Sequence, residues 1–401
     1  MKNFPHIKHL NDVYDAIDIK CFYLIQKEGY QVINYMFSSP EAFPDITEKH
    51  AREKREFRGL IFDLEGNIIR RPYHKFFNVG ERLESHLENI DVSKPHIILE
   101  KLDGSMIVPF PVSGDLIWGT KMGKTEVSDQ VVEWLKKSNN LLNYSEFVWS
   151  CVDLDLSPIF EWTSNSQRIV LDYPEPKLVL TAVRHLYTGD YLTYDEMREL
   201  LEEWNIPLVR DLKGDGAQLS EKLIEHCRTL QDAEGFVIRF DNGQMYKIKS
   251  DWYCQLHRVK SEINYERGVI TLLLNGNMDD LKSLMPANDL SRIEAYEKSF
   301  HHMMVTKAAL LAQLIQSIRI DGLTRKDYAL GLMPSHEKWM ANIIFKTWDM
   351  TDDILADSAW ELLKDYILSN CNRNSKFDEM RANTSLFKNV PAWRPVMFTD
   401  E

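Results

Sequence analysis

Between about residue 20 and residue 255 the apolar positions fall in short runs separated by Gly, Pro, Asn and Asp. The runs Tyr30–Phe37, Gly59–Phe62, His96–Leu99, Leu116–Thr120, Lys177–Arg184, Gly235–Phe240 and Met245–Ile248 are rich in β-branched and aromatic side chains and predict strands. Asp63-Leu-Glu-Gly66 and Asp241-Asn-Gly243 lie between such runs, so several strands are expected to pair antiparallel through hairpins. Gln130–Lys137 and Tyr194–Trp204 predict helices between the strands, the second with Thr193 as its N-cap and acidic residues near its start. Past about residue 255 the texture changes. Ile293, Tyr296, Phe300, Met303 and Met304 recur at helical spacing within Arg292–Ile320, and β-type alternation disappears. Lys338–Thr347 and Ser358–Leu368 also predict helices, whereas the polar, proline-punctuated stretch Asn370–Glu401 predicts loose order. The pattern therefore reads as an α+β domain over residues 1–255 followed by an all-helical domain over 256–401.

Composition narrows the classes. With 401 residues, 44% hydrophobic and 27% charged, the chain can bury a sizeable core and is neither disordered nor fibrous. Cys21, Cys151, Cys227, Cys254 and Cys371 are scattered with no C-x-x-C pair, which argues against a disulfide scaffold or a cysteine zinc site and predicts a reducing cytosol. No apolar run approaches the roughly 18 residues that span a bilayer, and MKNFPHIKHL lacks the apolar core of a signal peptide, so a soluble, cytoplasmic protein with no membrane partner is expected.

The densest local chemistry is Glu100-Lys101-Leu102-Asp103-Gly104-Ser105, directly after a predicted strand. It places a lysine at a strand end, with a glycine three residues on that leaves room for a nucleotide to approach the backbone. A lysine crowded by other cations loses basicity and becomes a usable nucleophile. By itself the string also describes a hairpin turn with a surface lysine. Further along, Glu161 and Glu234 stand in predicted strands among apolar residues, where an unpaired carboxylate is costly, so a hard cation or a ribose hydroxyl would suit them. Lys247 and Lys249 share one face of a strand and together suit a polyphosphate. Each glutamate alone is equally a part-exposed strand residue; the set in this order is what points to a site. Gly119-Thr-Lys-Met-Gly-Lys-Thr125 imitates a phosphate-binding P-loop but has Trp118 where the motif requires glycine.

An R-G strand, K-x-D-G, an F-E strand, an E-G-F-V strand and a K-x-K strand, in that order, resemble the covalent nucleotidyltransferases, the ATP-dependent ligases and capping enzymes. Among them the chain is most similar to the phage RNA ligase 1 family, of the T-even-phage type, from about Tyr30 to about Leu330. The strings that carry the resemblance are Arg58-Gly-Leu-Ile-Phe62, Lys75-Phe-Phe-Asn78, Lys101-Leu-Asp-Gly-Ser105, Arg168-Ile-Val170, Glu234-Gly-Phe-Val237 and Lys247-Ile-Lys-Ser-Asp-Trp-Tyr253. The resemblance implies a nucleotidyltransferase domain built on antiparallel sheets, then a helical domain concerned with RNA specificity. It implies that Lys101 attacks ATP to form lysyl-AMP, and that Tyr35, Arg58, Lys75, Asp103, Gly104, Lys121, Glu161, Glu234, Lys247, Lys249 and Tyr253 hold the nucleotide. It makes Glu161, Glu234 and Asp279 metal ligands for Mg²⁺ or Mn²⁺. The implied partners are RNA, with tRNA as a candidate, and a polynucleotide kinase-phosphatase that prepares the ends; the implied compartment is the cytoplasm, that of a host if the source is viral. DNA ligases and capping enzymes usually continue into a β-barrel, whereas this sequence turns helical. A DNA ligase, a capping enzyme and a catalytically silent RNA-binding module are the alternatives.

The formal charge of −13 argues on its face against a nucleic-acid partner. Its distribution changes that. Asp190–Glu234 holds 5 basic and 12 acidic residues, whereas Arg52–Lys75 has 7 basic against 4 acidic and Gly235–Ile270 has 6 against 4. A locally basic site on an acidic body predicts modest, salt-sensitive RNA binding.

Overall fold

The computed structural model describes residues 4–36, 38–165, 169–212, 218–278, 282 and 287–393. The chain divides into two compact units, Met1–Gln255 and Leu256–Glu401.

Among its described residues the first unit is built from three sheets of three or four strands and one separate two-stranded hairpin. Strands β1 (Phe22–Lys27), β2 (Tyr30–Tyr35), β3 (Arg58–Asp63) and β4 (Ile68–Arg70) form an antiparallel meander in that order, with helix α1 (Ala51–Glu56) in the β2–β3 connection. Leu60 and Phe62 of β3 pack with Phe22, Ile33 and Phe43, while Ile61 packs on the other side with Tyr30, Val32 and Phe110. Both faces of β3 are therefore buried, which explains an uninterrupted apolar run there instead of alternation. In the β3–β4 hairpin the Asp63 carboxylate accepts the backbone N–H groups of Glu65 (3.0 Å) and Asn67 (2.7 Å).

The second sheet contains β5 (Phe77–Asn78), β6 (His96–Glu100), β12 (Gly235–Phe240) and β13 (Met245–Lys249), in the order β5-β13-β12-β6. β12 and β13 form the expected hairpin across Asp241–Gly243. The short β5 pairs parallel with β13, an exception to the antiparallel pattern that patterning could not anticipate in a two-residue strand. The third sheet joins β7 (Ser105–Ile107), β10 (Leu156–Thr163) and β11 (Lys177–His185) in the order β11-β10-β7, with β8 (Phe110–Val112) and β9 (Asp115–Ile117) as a separate hairpin. Helices α2 (Glu126–Lys137) and α3 (Leu141–Asp153) cover it, burying Val131, Leu135, Phe147, Val148 and Cys151 against Phe160, Leu178 and Leu180. Helix α4 (Tyr194–Leu200) is capped as its sequence suggests, with Thr193 and Glu196 forming a capping box, and α5 (Glu221–Thr229) begins at the Ser220 cap.

A buried ion triad ties the first sheet to the third. Glu56, at the end of α1, is 1% exposed and accepts from Arg71 Nε at 3.1 Å and from Arg184 Nη1 and Nη2 at 3.0 and 3.1 Å. Burial pushes the Glu56 carboxyl up, but Arg184 and Arg71 outweigh it and hold it down at about 2.

The second unit is helical among its described residues. It contains most of α6 (Asp251–Ile263), then α7 (Glu266–Leu274) and helices Ala287–Ile320, Lys338–Lys346, Leu355–Asn370 and Asn374–Asn383. The longest spans about 50 Å at 1.5 Å per residue. Its Ile293, Tyr296, Phe300, Met304, Leu311 and Ile315 are buried in a core shared with Leu355, Ala359, Leu363 and Ile367. Residues 371–393 depart from the loose order expected of Asn370–Glu401, whose last residues lie outside the described ones. Helix Asn374–Asn383 buries Phe377 and Met380, and Leu386, Phe387 and Val390 join the same core. These apolar residues are too sparse to register as a periodic face, yet Phe377, Met380, Leu386, Phe387 and Val390 are covered within the helical core.

Candidate active site

Lys101 stands just beyond the end of β6, in the loop that leads into β7. Its backbone N–H donates to Gly235 O at 2.9 Å, so the loop is pinned to the start of β12. Gly104 then passes tightly beneath β10: a Cβ at this position would lie 2.2 Å from Trp162 O, which no side chain can occupy.

Glu234, immediately before β12, is 3% exposed and sits between two lysines. Its Oε2 is 2.9 Å from Lys101 Nζ and its Oε1 is 2.9 Å from Lys249 Nζ. The register that sets Lys249 opposite Gly235 delivers the second lysine to this carboxylate. Lys101 opens on a pocket of about 200 Å³ whose lining includes Arg58, Phe76, Leu99, Glu161, Val209 and Val237. Glu161 comes from β10, where it pairs with Met106 of β7. Burial, reinforced by the charges of Glu234 and Asp103 and opposed by Lys101 and Arg58, raises the Glu161 carboxyl to about 7.

The phosphate-type cations gather around the same place. Lys247 lies with its Nζ 5.7 Å from the centre of the Phe76 ring. Burial first, and then Lys75, Lys101, Lys249 and Arg58, push its ammonium down to about 7. Tyr35 forms a second focus: Lys121 Nζ is 5.0 Å and Lys75 Nζ 5.6 Å from its ring centre. Burial would raise the Tyr35 phenol, but Lys121, Arg58 and Lys75 together hold it below its ordinary value. Lys75 also donates to Ser38 Oγ at 2.8 Å.

Asp103 and Tyr253 hold each other. Asp103 is 3% exposed; its Oδ1 accepts the Tyr253 hydroxyl at 2.7 Å and its Oδ2 accepts the N–H groups of Val170 and Leu171, both at 2.7 Å. The Asp103 N–H in turn donates to Tyr173 Oη at 3.0 Å. This network fixes the loop that carries Lys101 to the start of α6 and to the segment after β10. Sequence reasoning missed Tyr173 and the backbone N–H donors that reach Asp103 Oδ2, because nothing local marks a tyrosine 70 positions away as a partner.

The structure therefore gathers Tyr35, Arg58, Lys75, Lys101, Asp103, Gly104, Lys121, Glu161, Glu234, Lys247, Lys249 and Tyr253 in the first unit, on parts of all three sheets and the loops between them. Asp279, Arg168 and Phe37 lie outside the described residues. Among the described residues no group of three His, Cys, Asp or Glu side chains is placed to hold a metal ion.

Comparison with known proteins agrees along most of the chain. Residues 56–253 match the family model described as RNA ligase, and residues 260–366 match that of the T4 RNA ligase 1 C-terminal domain. A Thermovibrio ammonificans protein named "Putative RNA ligase" is 30% identical over 317 residues, covering 76% of this chain and 80% of the relative. RNA ligase 1 of bacteriophage TS2126 is 24% identical over 336 residues, 78% of this chain and 77% of that one. The "Putative bifunctional polynucleotide kinase/RNA ligase" of Autographa californica nuclear polyhedrosis virus is 29% identical over 251 residues, 58% of this chain but 35% of the longer viral protein. With the motif residues brought together in the first unit and both family models matched in order, the chain belongs to the RNA ligase family of the phage RNA ligase 1 type.

Proposed function

We propose that this protein is an ATP-dependent ligase that joins 5′-phosphate and 3′-hydroxyl RNA ends through lysyl-AMP and adenylylated RNA. The observation that carries the reading is Lys101, held at 2.9 Å by a buried carboxylate and opening on a pocket with an apolar wall for a base. In the first step Lys101 Nζ attacks the α-phosphorus of ATP; the N–P bond forms as the bond to pyrophosphate breaks. The ion pair with Glu234 aims the side chain and has to part, the ammonium giving up a proton to solvent, before the amine can attack. Arg58, Lys75, Lys121, Lys247 and Lys249 are the cations available to the phosphates, so catalysis is positioning plus charge neutralisation.

Glu161 and Glu234 fit a divalent cation. They are hard oxygen donors, with the Glu234 charge near enough to help raise the Glu161 carboxyl, and Mg²⁺ or Mn²⁺ commonly takes one or two carboxylates and completes its shell with substrate phosphate oxygens. Such an ion supplies charge neutralisation at the reacting phosphate. The role assigned to Asp279 remains part of the proposal.

AMP then passes from Lys101 to the 5′-phosphate of a broken RNA, and the 3′-hydroxyl displaces it to seal the strand. RNA repair, with tRNA as a candidate substrate, is the role that fits this chemistry. A separate polynucleotide kinase-phosphatase would supply the ends, a pairing supported by the viral relative whose name joins kinase and ligase. The setting we propose is the cytoplasm, of a host if the source is viral; among the described residues no helix is long and apolar enough to cross a membrane.

The test is incubation with Mg²⁺ and ATP labelled at the α-phosphate. An acid-labile covalent AMP adduct is expected, absent in Lys101→Ala. No adduct, or an adduct that survives Lys101→Ala, overturns the reading. GTP in parallel tests capping chemistry, and sealing of RNA against DNA ends tests the DNA-ligase alternative.

A further inference from the structure

The pocket of about 200 Å³ beside Lys101 is lined by charged groups, by apolar side chains such as Leu99, Val209 and Val237, and by two neutral polar side chains among its described residues, Tyr73 and Thr181. Neither belongs to the strings that mark the site in the sequence. Thr181 is on β11, 8% exposed, and its hydroxyl donates to Ile159 O at 3.0 Å. The Tyr73 hydroxyl is hydrogen-bonded to Thr181. Its ring is fixed by stacking on Tyr191, 5.9 Å between centres and 28° between planes, and by the edge of Phe76 at 5.8 Å.

Counting protons shows what this pair offers a ligand. A hydroxyl has one proton and two lone pairs. The only proton of Thr181 is committed to Ile159 O, so Tyr73 donates its own to Thr181 Oγ1. With both protons spent on protein acceptors, lone pairs are all that remain for the pocket, and the pair can accept but not donate. A purine base meets such a surface in two ways. Adenine carries an amino group at its 6-position, which donates, whereas guanine carries an oxygen there, which would face lone pairs. The placement fits a base rather than a phosphate. Val179 stands opposite Glu161 in the β10–β11 pairing, and Thr181 is two residues along the same face, roughly 7 Å at 3.3 Å per residue. That offset takes the hydroxyls away from the charged end, where Glu161, Arg58 and Lys101 lie, into the part lined by Val209.

We infer that Tyr73 and Thr181 select adenine over guanine in the nucleotide pocket, accepting from the 6-amino group through hydroxyls whose own protons are turned away. The inference rests on the ATP-dependent reading for its ligand and adds the residues that read the base.

The test measures nucleotide binding to full-length Lys101→Ala protein, in which no adduct can form, by displacement of an ATP analogue labelled on its ribose. ATP, GTP, inosine triphosphate and purine riboside triphosphate, which has only hydrogen at the 6-position, are compared. ATP should bind about tenfold more tightly than purine riboside triphosphate, and GTP and inosine triphosphate more weakly than either. Tyr73→Phe keeps the ring and should bring ATP and purine riboside triphosphate within about twofold, leaving the latter unchanged. Thr181→Val has nearly the same shape and frees the Tyr73 proton to turn to the pocket, so the preference for ATP over GTP should fall about tenfold, with Thr181→Ser restoring it. Equal binding of ATP and purine riboside triphosphate by the parent protein overturns the inference. So does a preference that survives both Tyr73→Phe and Thr181→Val, and so does an equal weakening of all four nucleotides, which would mean packing alone. The labelled-ATP experiment on native protein is read separately: a missing adduct with the adenine preference intact counts against the ligase reading only, and failure of every nucleotide to bind overturns both.

Discussion

Lys247 offers a quantitative test of the cationic cluster. Its ammonium is held at about 7 against an ordinary 10.5, by burial and then by Lys75, Lys101, Lys249 and Arg58. At about 1.36 kcal/mol per tenfold change in proton affinity, the charged form costs the nucleotide-free fold on the order of 5 kcal/mol. Because the folded value is depressed, stability is fully present above 10.5 and is lost as pH falls toward 7, below which both states are charged and the cost is complete. Lys247→Met keeps most of the side-chain volume and removes the charge. Urea unfolding should therefore show the variant more stable than the native protein, most at pH 6, with the advantage smaller by about 3 kcal/mol at pH 9. The same variant should lose adduct formation from ATP, since the strain is there to meet phosphate. A variant that is no more stable at pH 6, or whose advantage does not change with pH, would refute the electrostatic account of this cluster.

Three further outcomes follow from the same geometry. Glu56→Gln leaves Arg71 and Arg184 buried without their carboxylate and should destabilise the protein by about 3–5 kcal/mol in urea. The native protein should also lose stability more steeply than this variant as pH falls from 4.5 toward 2, because the Glu56 value is depressed. Tyr253→Phe removes a 2.7 Å hydrogen bond to the buried Asp103 carboxylate and should cost about 1.5–3 kcal/mol by the same measurement, with a lower rate of adduct formation. Glu161, raised to about 7, is mostly protonated at pH 6, so Mn²⁺ binding should release close to one proton there and almost none at pH 8.5. Calorimetry in buffers of different ionisation enthalpy reads this directly, and Glu161→Gln should abolish the release.

Much of the architecture is legible in the chain. The strands Gly235–Phe240 and Met245–Ile248 with their Asp241–Gly243 turn, the capped helix after Thr193, and the long helix through Ile320 all follow from local period and turn chemistry. The helix Asn374–Asn383 does not, because its burial depends on surfaces supplied by other helices rather than on its own periodicity. The candidate site divides in the same way. Lys101, Glu161, Glu234, Lys247 and Lys249 can be picked out by residue type, order and strand context.

By itself, then, the sequence determined which side chains bear the chemistry and the order in which they occur, because both are properties of the chain and of backbone period. Only the tertiary structure decided their electrical states and partners. Glu234 is shared by Lys101 and Lys249, Asp103 is saturated by Tyr253 and two backbone N–H groups, and burial among other cations depresses the Lys247 ammonium. Those relations depend on sheet register and on burial between residues as many as 150 positions apart, and Coulomb and desolvation energies respond to distance in space, not along the chain.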